Sequence, residues 1–132
     1  MAVVTTTKTI QDGKKIAVIQ FTGVFTDATG NETDAVKVDA SALVPVASAT
    51  ATLKIMRIWF SCSAVGTYLE FDGATDGFAL PLTEGSTTYM DYRPVGGLRD
   101  NATTPTGDIT LTTVGTVSAG TGYSVIIEVW KS

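Results

Sequence analysis

The chain has 132 residues, of which 44% are hydrophobic and only 17% charged, with a net charge of −4. That length makes one domain, and the apolar share supplies a core and excludes intrinsic disorder. The nine cations, Lys8, Lys14, Lys15, Lys37, Lys54, Arg57, Arg93, Arg99 and Lys131, never form a run of three. That scatter argues against neutralising a phosphate backbone, and so against a nucleic-acid partner.

Taken in chain order, the elements are strands. Residues 2–10 open with the biased segment "TTTKT", and residues 1–10 also read as an extended N-terminal arm. "KKIAVIQFTGVF" gives a strand over 15–25 that is apolar on both faces, as a covered central strand requires. "DAVKVDA" alternates Val36 and Val38 against Lys37 and Asp39, for a strand over 33–39. "VDASALVPVASATA" has room for one short helical turn, ended by Pro45. "ATLKIMRIWFSCS" gives a strand over 51–61, and "GTYLEFDG" gives one over 66–72 that sets Leu69 and Phe71 against Tyr68, Glu70 and Asp72. Shorter runs at 77–81 and near 87–92 follow. "DITLTTV" (107–114) places Ile109 and Leu111 opposite Thr110 and Thr112. "YSVIIEVWK" (122–131) places Tyr123, Val125, Ile127 and Val129 on one face.

No window carries apolar residues at helical spacing over a useful length. Clusters such as "QDGKK", "FTDATGNETD", "FDGATDG" and "LTEGST" punctuate the strands with residues suited to turns. About eight short strands with little or no helix predict an all-β, antiparallel sandwich that is jelly-roll-like, in a single domain over 1–132. An immunoglobulin-like sandwich ranks second, because the Cys…Trp…Cys core of antibody domains is absent.

The chemistry in the sequence is sparse. Histidine is absent, which removes Ser-His-Asp and Cys-His systems and most zinc sites. The single cysteine, Cys62, closes no internal disulfide and, with no histidine to activate it, reads as a small buried hydrophobe. Glu70 with Asp72, or Asp72 with Asp76, would be needed for glycoside hydrolysis; a solvated strand face explains them more simply. "DATGNETD" (27–34) and "DGATDG" (72–77) offer oxygen ligands, but neither has calcium-loop spacing, and such residues more often cap their own turns. "GGLRDN" lacks a phosphate-loop lysine. No catalytic residue, cofactor or metal is expected. No apolar run reaches the roughly 18 residues of a membrane span, so no membrane partner is expected. "MAVVTTTKTIQDG" lacks a secretory pattern, so synthesis in the cytoplasm is expected. Tyr89, Tyr92 and Trp130 are the aromatics expected at the surface, for sugar stacking or a protein interface.

Three phrases carry a resemblance: "IQFTGVFTDATGNETDAVKVDASAL", "LKIMRIWFSCSAVGTYLEFDGATD" and "GGLRDNATTPTGDITLTTVGTVSAGTGYSVIIEVWK". Together, over about residues 15–131, the chain resembles small virion proteins of tailed bacteriophages, the head decoration or cement proteins. The resemblance implies a jelly-roll-like sandwich made in the host cytoplasm, binding the capsid exterior as a homotrimer. It implies the major capsid protein as partner, bridging of neighbouring capsomers, and a terminal arm reaching an adjacent subunit, for which the N-terminal segment with Val3, Val4 and Thr6 is the candidate. The stretch from Tyr89 to Thr110 reads as the longest connection, and connections this long tend to be functional. Within it Tyr92, Arg93, Leu98 and Arg99 are the expected interface residues. A carbohydrate-binding or host-recognition module, lectin- or fibre-like, is the alternative.

Overall fold

A computed structural model describes residues 3–29, 31–39, 53–64, 66–82, 85–114 and 118–131. Nine strands are present: β1 (Val3–Asp12), β2 (Ile16–Phe25), β3 (Ala35–Val38), β4 (Leu53–Cys62), β5 (Thr67–Thr75), β6 (Gly77–Pro81), β7 (Ser86–Asp91), β8 (Thr103–Thr113) and β9 (Gly122–Lys131). Among the described residues the only helical element is a 3-10 turn at Arg93–Val95, and no helix is long and apolar enough to cross a membrane. The helical turn expected around Pro45 lies outside the described residues.

Two antiparallel sheets hold these strands. One has the order β1-β2-β9-β4-β7 and the other β3-β8-β5-β6. Between successive strands the chain changes sheet at every step except β1–β2 and β5–β6. Setting β1 aside, β2-β9-β4-β7 faces β3-β8-β5-β6, which is the strand order of two interlocked Greek keys. This is a jelly roll, with β1 added at one edge.

Alternation along the strands builds the core. On β2 the buried positions Ala17, Ile19, Phe21 and Phe25 share one face, and Val125, Ile127 and Val129 on β9 oppose them. Leu69 and Phe71 on β5 and Ile109 and Leu111 on β8 supply the other sheet's half. Each fully buried Leu, Ile or Phe contributes roughly 1.5–3 kcal/mol relative to an exposed one. β4 reads as apolar on both faces because of a bulge between Ile55 and Arg57. The extra residue shifts the phase, so that Leu53 and Ile55 before it, and Ile58, Phe60 and Cys62 after it, all face inward. Arg57 and Trp59 therefore face outward on the same strand.

Two expectations change. The stretch from Tyr89 to Thr110 is not one long loop. Its first residues belong to β7, Leu98 forms an isolated bridge with Ile55, and β8 begins at Thr103. Likewise Val3–Ile10 is not a free arm, because the whole segment lies in β1, paired antiparallel with β2 from Val3↔Phe25 to Asp12↔Ala17.

Candidate functional site

The five-stranded sheet is one strand wider than the sheet it faces, and β1 is the strand that overhangs. Register places Val3, Thr5, Thr7 and Thr9 on the side of the core. With no strand opposite among the described residues, Thr5, Thr7 and Thr9 are exposed all the same, as are Val4, Thr6 and Lys8 on the outer side. Val3 alone is partly buried against the core, and Val4 is 55% exposed. Beneath the overhang runs a groove of about 400 Å³ lined by Thr7, Thr9, Ile19, Val36, Lys37 and Val38. A long exposed edge strand is a template on which another chain can pair.

The second predicted group lies across the same sheet, at the β7 edge. The Tyr92 backbone N–H donates to Met56 O at 2.8 Å. Its ring packs partly buried against the core, and burial raises the phenol's pKa. Leu98 exchanges two backbone hydrogen bonds with Ile55, at 2.8 and 3.0 Å, and also packs on the core. Arg93 forks onto Asp91, with Nε to Oδ1 at 2.9 Å and Nη2 to Oδ2 at 2.7 Å. That bidentate bond holds the Asp91 carboxyl at about 2. Arg93 and Arg99 are exposed, and Val95, not singled out by sequence, is 78% exposed at the tip of the turn. Gly96 and Gly97, both at positive φ, turn the chain back towards β4. So the structure turns Tyr92 and Leu98 partly towards their own core and leaves Arg93, Val95 and Arg99 to face outward. Val3, Val4 and Thr6 are not brought together with this group, since β2, β9 and β4 lie between the two edges.

Between these edges the outer face carries an aromatic pair. Trp59 and Tyr89 are direct partners across β4 and β7, with ring centroids 5.2 Å apart and planes at 28°. Arg57 lies over the Trp59 ring at 5.2 Å and forks onto Glu128, at 2.6 and 2.8 Å. Arg57 holds the Glu128 carboxyl below its usual range. Trp130 is partly exposed further along β9. Beside the aromatic pair a shallow hollow of about 170 Å³ is lined by Trp59, Ser61, Thr87, Ser124 and Ile126.

Polar groups are also buried at the mouth of the core. Tyr123 donates its hydroxyl to Glu32 Oε2 at 2.5 Å, and Lys37 Nζ lies 2.8 Å from Glu32 Oε1. Lys37 Nζ also sits 5.6 Å from the centre of the Tyr123 ring. All three residues are buried. Burial, followed by the Glu32 carboxylate, pushes the Tyr123 phenol strongly upward. The sequence marks Tyr123 as inward but not Glu32 or Lys37. Lys37 reaches the interior because β3 has a bulge between Val36 and Val38. Cys62 is buried, with its thiol 3.4 Å from Ala64 O, as a small core residue.

The outer face of the other sheet regroups the carboxylates. Asp72 accepts from the Thr106 hydroxyl at 2.9 Å. Glu70 instead gathers with Asp34 and Asp76, their oxygens all within 4.8 Å of one another. Desolvation, then Asp34, then Asp76, raises the Glu70 pKa. Sequence spacing pairs Glu70 with Asp72. The structure joins Glu70 to the two aspartate-bearing turns, 27–34 and 72–77, through the pairing of β3, β8 and β5.

No protein-family model matches the chain. No curated protein matches it either. Among solved structures, a cupin domain from Bordetella pertussis Tohama I aligns over 97% of this chain and 93% of that one, at 11% identity and a TM-score of 0.31. At that distance the fold rests on the strand order itself.

Proposed function

We propose that this protein is a non-catalytic structural component of a tailed-phage virion, a capsid decoration protein that closes into a homotrimer and bridges capsomers on the shell exterior. One observation carries the reading. A single sheet presents two different edges, the overhanging β1 and the β7 edge with its Arg93–Arg99 turn. Head-to-tail contact between unlike patches is what closes a cyclic ring, whereas one self-complementary patch gives a two-fold dimer. Three modest contacts to a lattice then hold by avidity what one could not. The resemblance of the three sequence phrases to phage decoration proteins supplies the partner, the major capsid protein. The absence of histidine and the scatter of cations suit a part that neither catalyses nor binds nucleic acid.

The test is co-sedimentation with capsids that lack this protein. Saturable uptake in multiples of three per shell site, weakened by Val4→Lys with Thr6→Lys, is expected. No uptake onto such shells defeats the reading.

A second reading has its own observation. Tyr89, 49% exposed and stacked on Trp59, which lines a shallow hollow, offers the aromatic face that a pyranose ring stacks on. It predicts a saturable tryptophan fluorescence change on a glycan panel that Tyr89→Ala removes, and a silent panel counts against it.

A further inference from the structure

The outer face of the β3-β8-β5-β6 sheet carries a group of acids that decoration of a capsid does not require. Asp34 precedes β3, Glu70 lies in β5 and Asp76 immediately precedes β6. Their carboxylate oxygens all lie within 4.8 Å of one another. Like charges at that separation repel, and folding holds them together although none belongs to an ion pair. Ion pairs elsewhere among the described residues include Lys37–Glu32, Arg57–Glu128, Arg93–Asp91 and Lys131–Asp12. The contacts around the cluster are neutral. Thr112 Oγ1 accepts from the Asp34 N–H at 3.0 Å. Its one proton serves both Asp34 Oδ1 and Glu70 Oε1, each at 3.3 Å. Asp76 Oδ1 accepts from the Gly73 N–H at 3.2 Å.

A second observation is independent of the acids. Thr110 stands directly opposite Glu70 in the β5–β8 register, so the two side chains share the outer face. Thr110 is 1% exposed, and its hydroxyl oxygen has no hydrogen-bond partner. Buried hydroxyls are almost always satisfied. One left open on the same face as three carboxylates marks a place for a further oxygen-bound species.

We propose that Asp34, Glu70 and Asp76 form a divalent-cation site of the calcium class, completed by the Thr110 and Thr112 hydroxyl side and by water. The donor set is all oxygen, which suits a hard cation and not zinc, whose sites favour nitrogen and sulfur. Calcium accepts six to eight oxygens at about 2.3–2.6 Å with loose geometry, whereas magnesium demands a tight octahedron. Oxygens brought within 4.8 Å of one another from three separate segments suit that looser shell. Its structural effect is local. One ion ties the approach to β3, which is an edge strand, to β5 and to the start of β6, at the opposite edge.

The test uses the full chain and terbium, a calcium surrogate that tyrosine sensitises. Tyr68 lies two residues before Glu70 on the same face of β5. Terbium emission is expected to saturate at one ion per chain and to be displaced by calcium. Calcium is expected to raise the melting temperature over that in EDTA. Glu70→Gln and Asp76→Asn should each weaken binding at least tenfold, while in EDTA they melt at or above the wild type because repulsion is relieved. Asp91→Asn, on β7 of the other sheet, should leave the affinity unchanged. No saturable one-ion signal from the wild type overturns the proposal. So does equal affinity in Glu70→Gln and the wild type.

Discussion

Replacing Lys37 with methionine isolates its ion pair with Glu32, buried on both sides. Methionine keeps most of the stem but removes the ammonium that sits 2.8 Å from Glu32. Breaking a buried pair from one side costs about 3–5 kcal/mol, because the remaining charge is left uncompensated. Glu32 keeps the Tyr123 hydroxyl at 2.5 Å, which places the expected cost near the lower limit, about 3 kcal/mol. For a domain of this size, 1 kcal/mol moves the melting temperature by roughly 3–5 °C, so a fall of about 10 °C is expected. The companion variant Glu32→Gln with Lys37→Met removes both charges and leaves an amide oxygen to accept from Tyr123. It should recover to within about 1 kcal/mol of the wild type. The assay is thermal and urea unfolding at fixed chain concentration, because association adds to apparent stability. A single variant that costs less than about 1 kcal/mol, or a double variant as unstable as the single, would show that the buried charges are not coupled.

Other variants test other parts of the fold. Gly122→Ala should cost about 2–3 kcal/mol, because its Cβ would come 2.2 Å from Gly23 O and force β9 from β2; urea unfolding measures it. The Glu128 carboxyl, held low by Arg57, is more acidic folded than unfolded. It therefore stabilises the fold above its unfolded pKa, and this contribution is lost as pH falls through the folded value. Glu128→Gln should accordingly flatten the decline in stability below about pH 4.5 in an acid titration followed by circular dichroism. Tyr89→Ala should cost only about 1 kcal/mol in the same unfolding assays, the worth of an exposed aromatic pair.

Period-two patterning made most of the fold legible, because one-faced burial leaves its mark on every second residue. The alternation in "YSVIIEVWK" and "DITLTTV" places Tyr123, Ile127, Ile109 and Leu111 inward, as observed. Bulges broke the pattern elsewhere. The extra residue before Arg57 makes β4 look apolar on both faces, and the one in β3 sends Lys37 inward where alternation puts it outside. The start of β8 at Thr103 was hidden because "TTPTG" reads as a turn, and Gly107 at positive φ lies within the strand itself. At the edges, sequence marked the right segments but not their state. "TTTKT" looks like an arm because its threonines face no partner sheet, although its backbone is fully paired on the β2 side. The Asp34–Glu70–Asp76 cluster could not be read from spacing, since its members are joined only through β8 lying between β3 and β5.

The claim that the two edges of one sheet close a ring is tested most directly by sedimentation equilibrium of the isolated chain. A single species at three times the 13.8 kDa chain mass is expected, shifted towards monomer by Val4→Lys with Thr6→Lys on β1. A wild-type protein that stays monomeric at every concentration contradicts it.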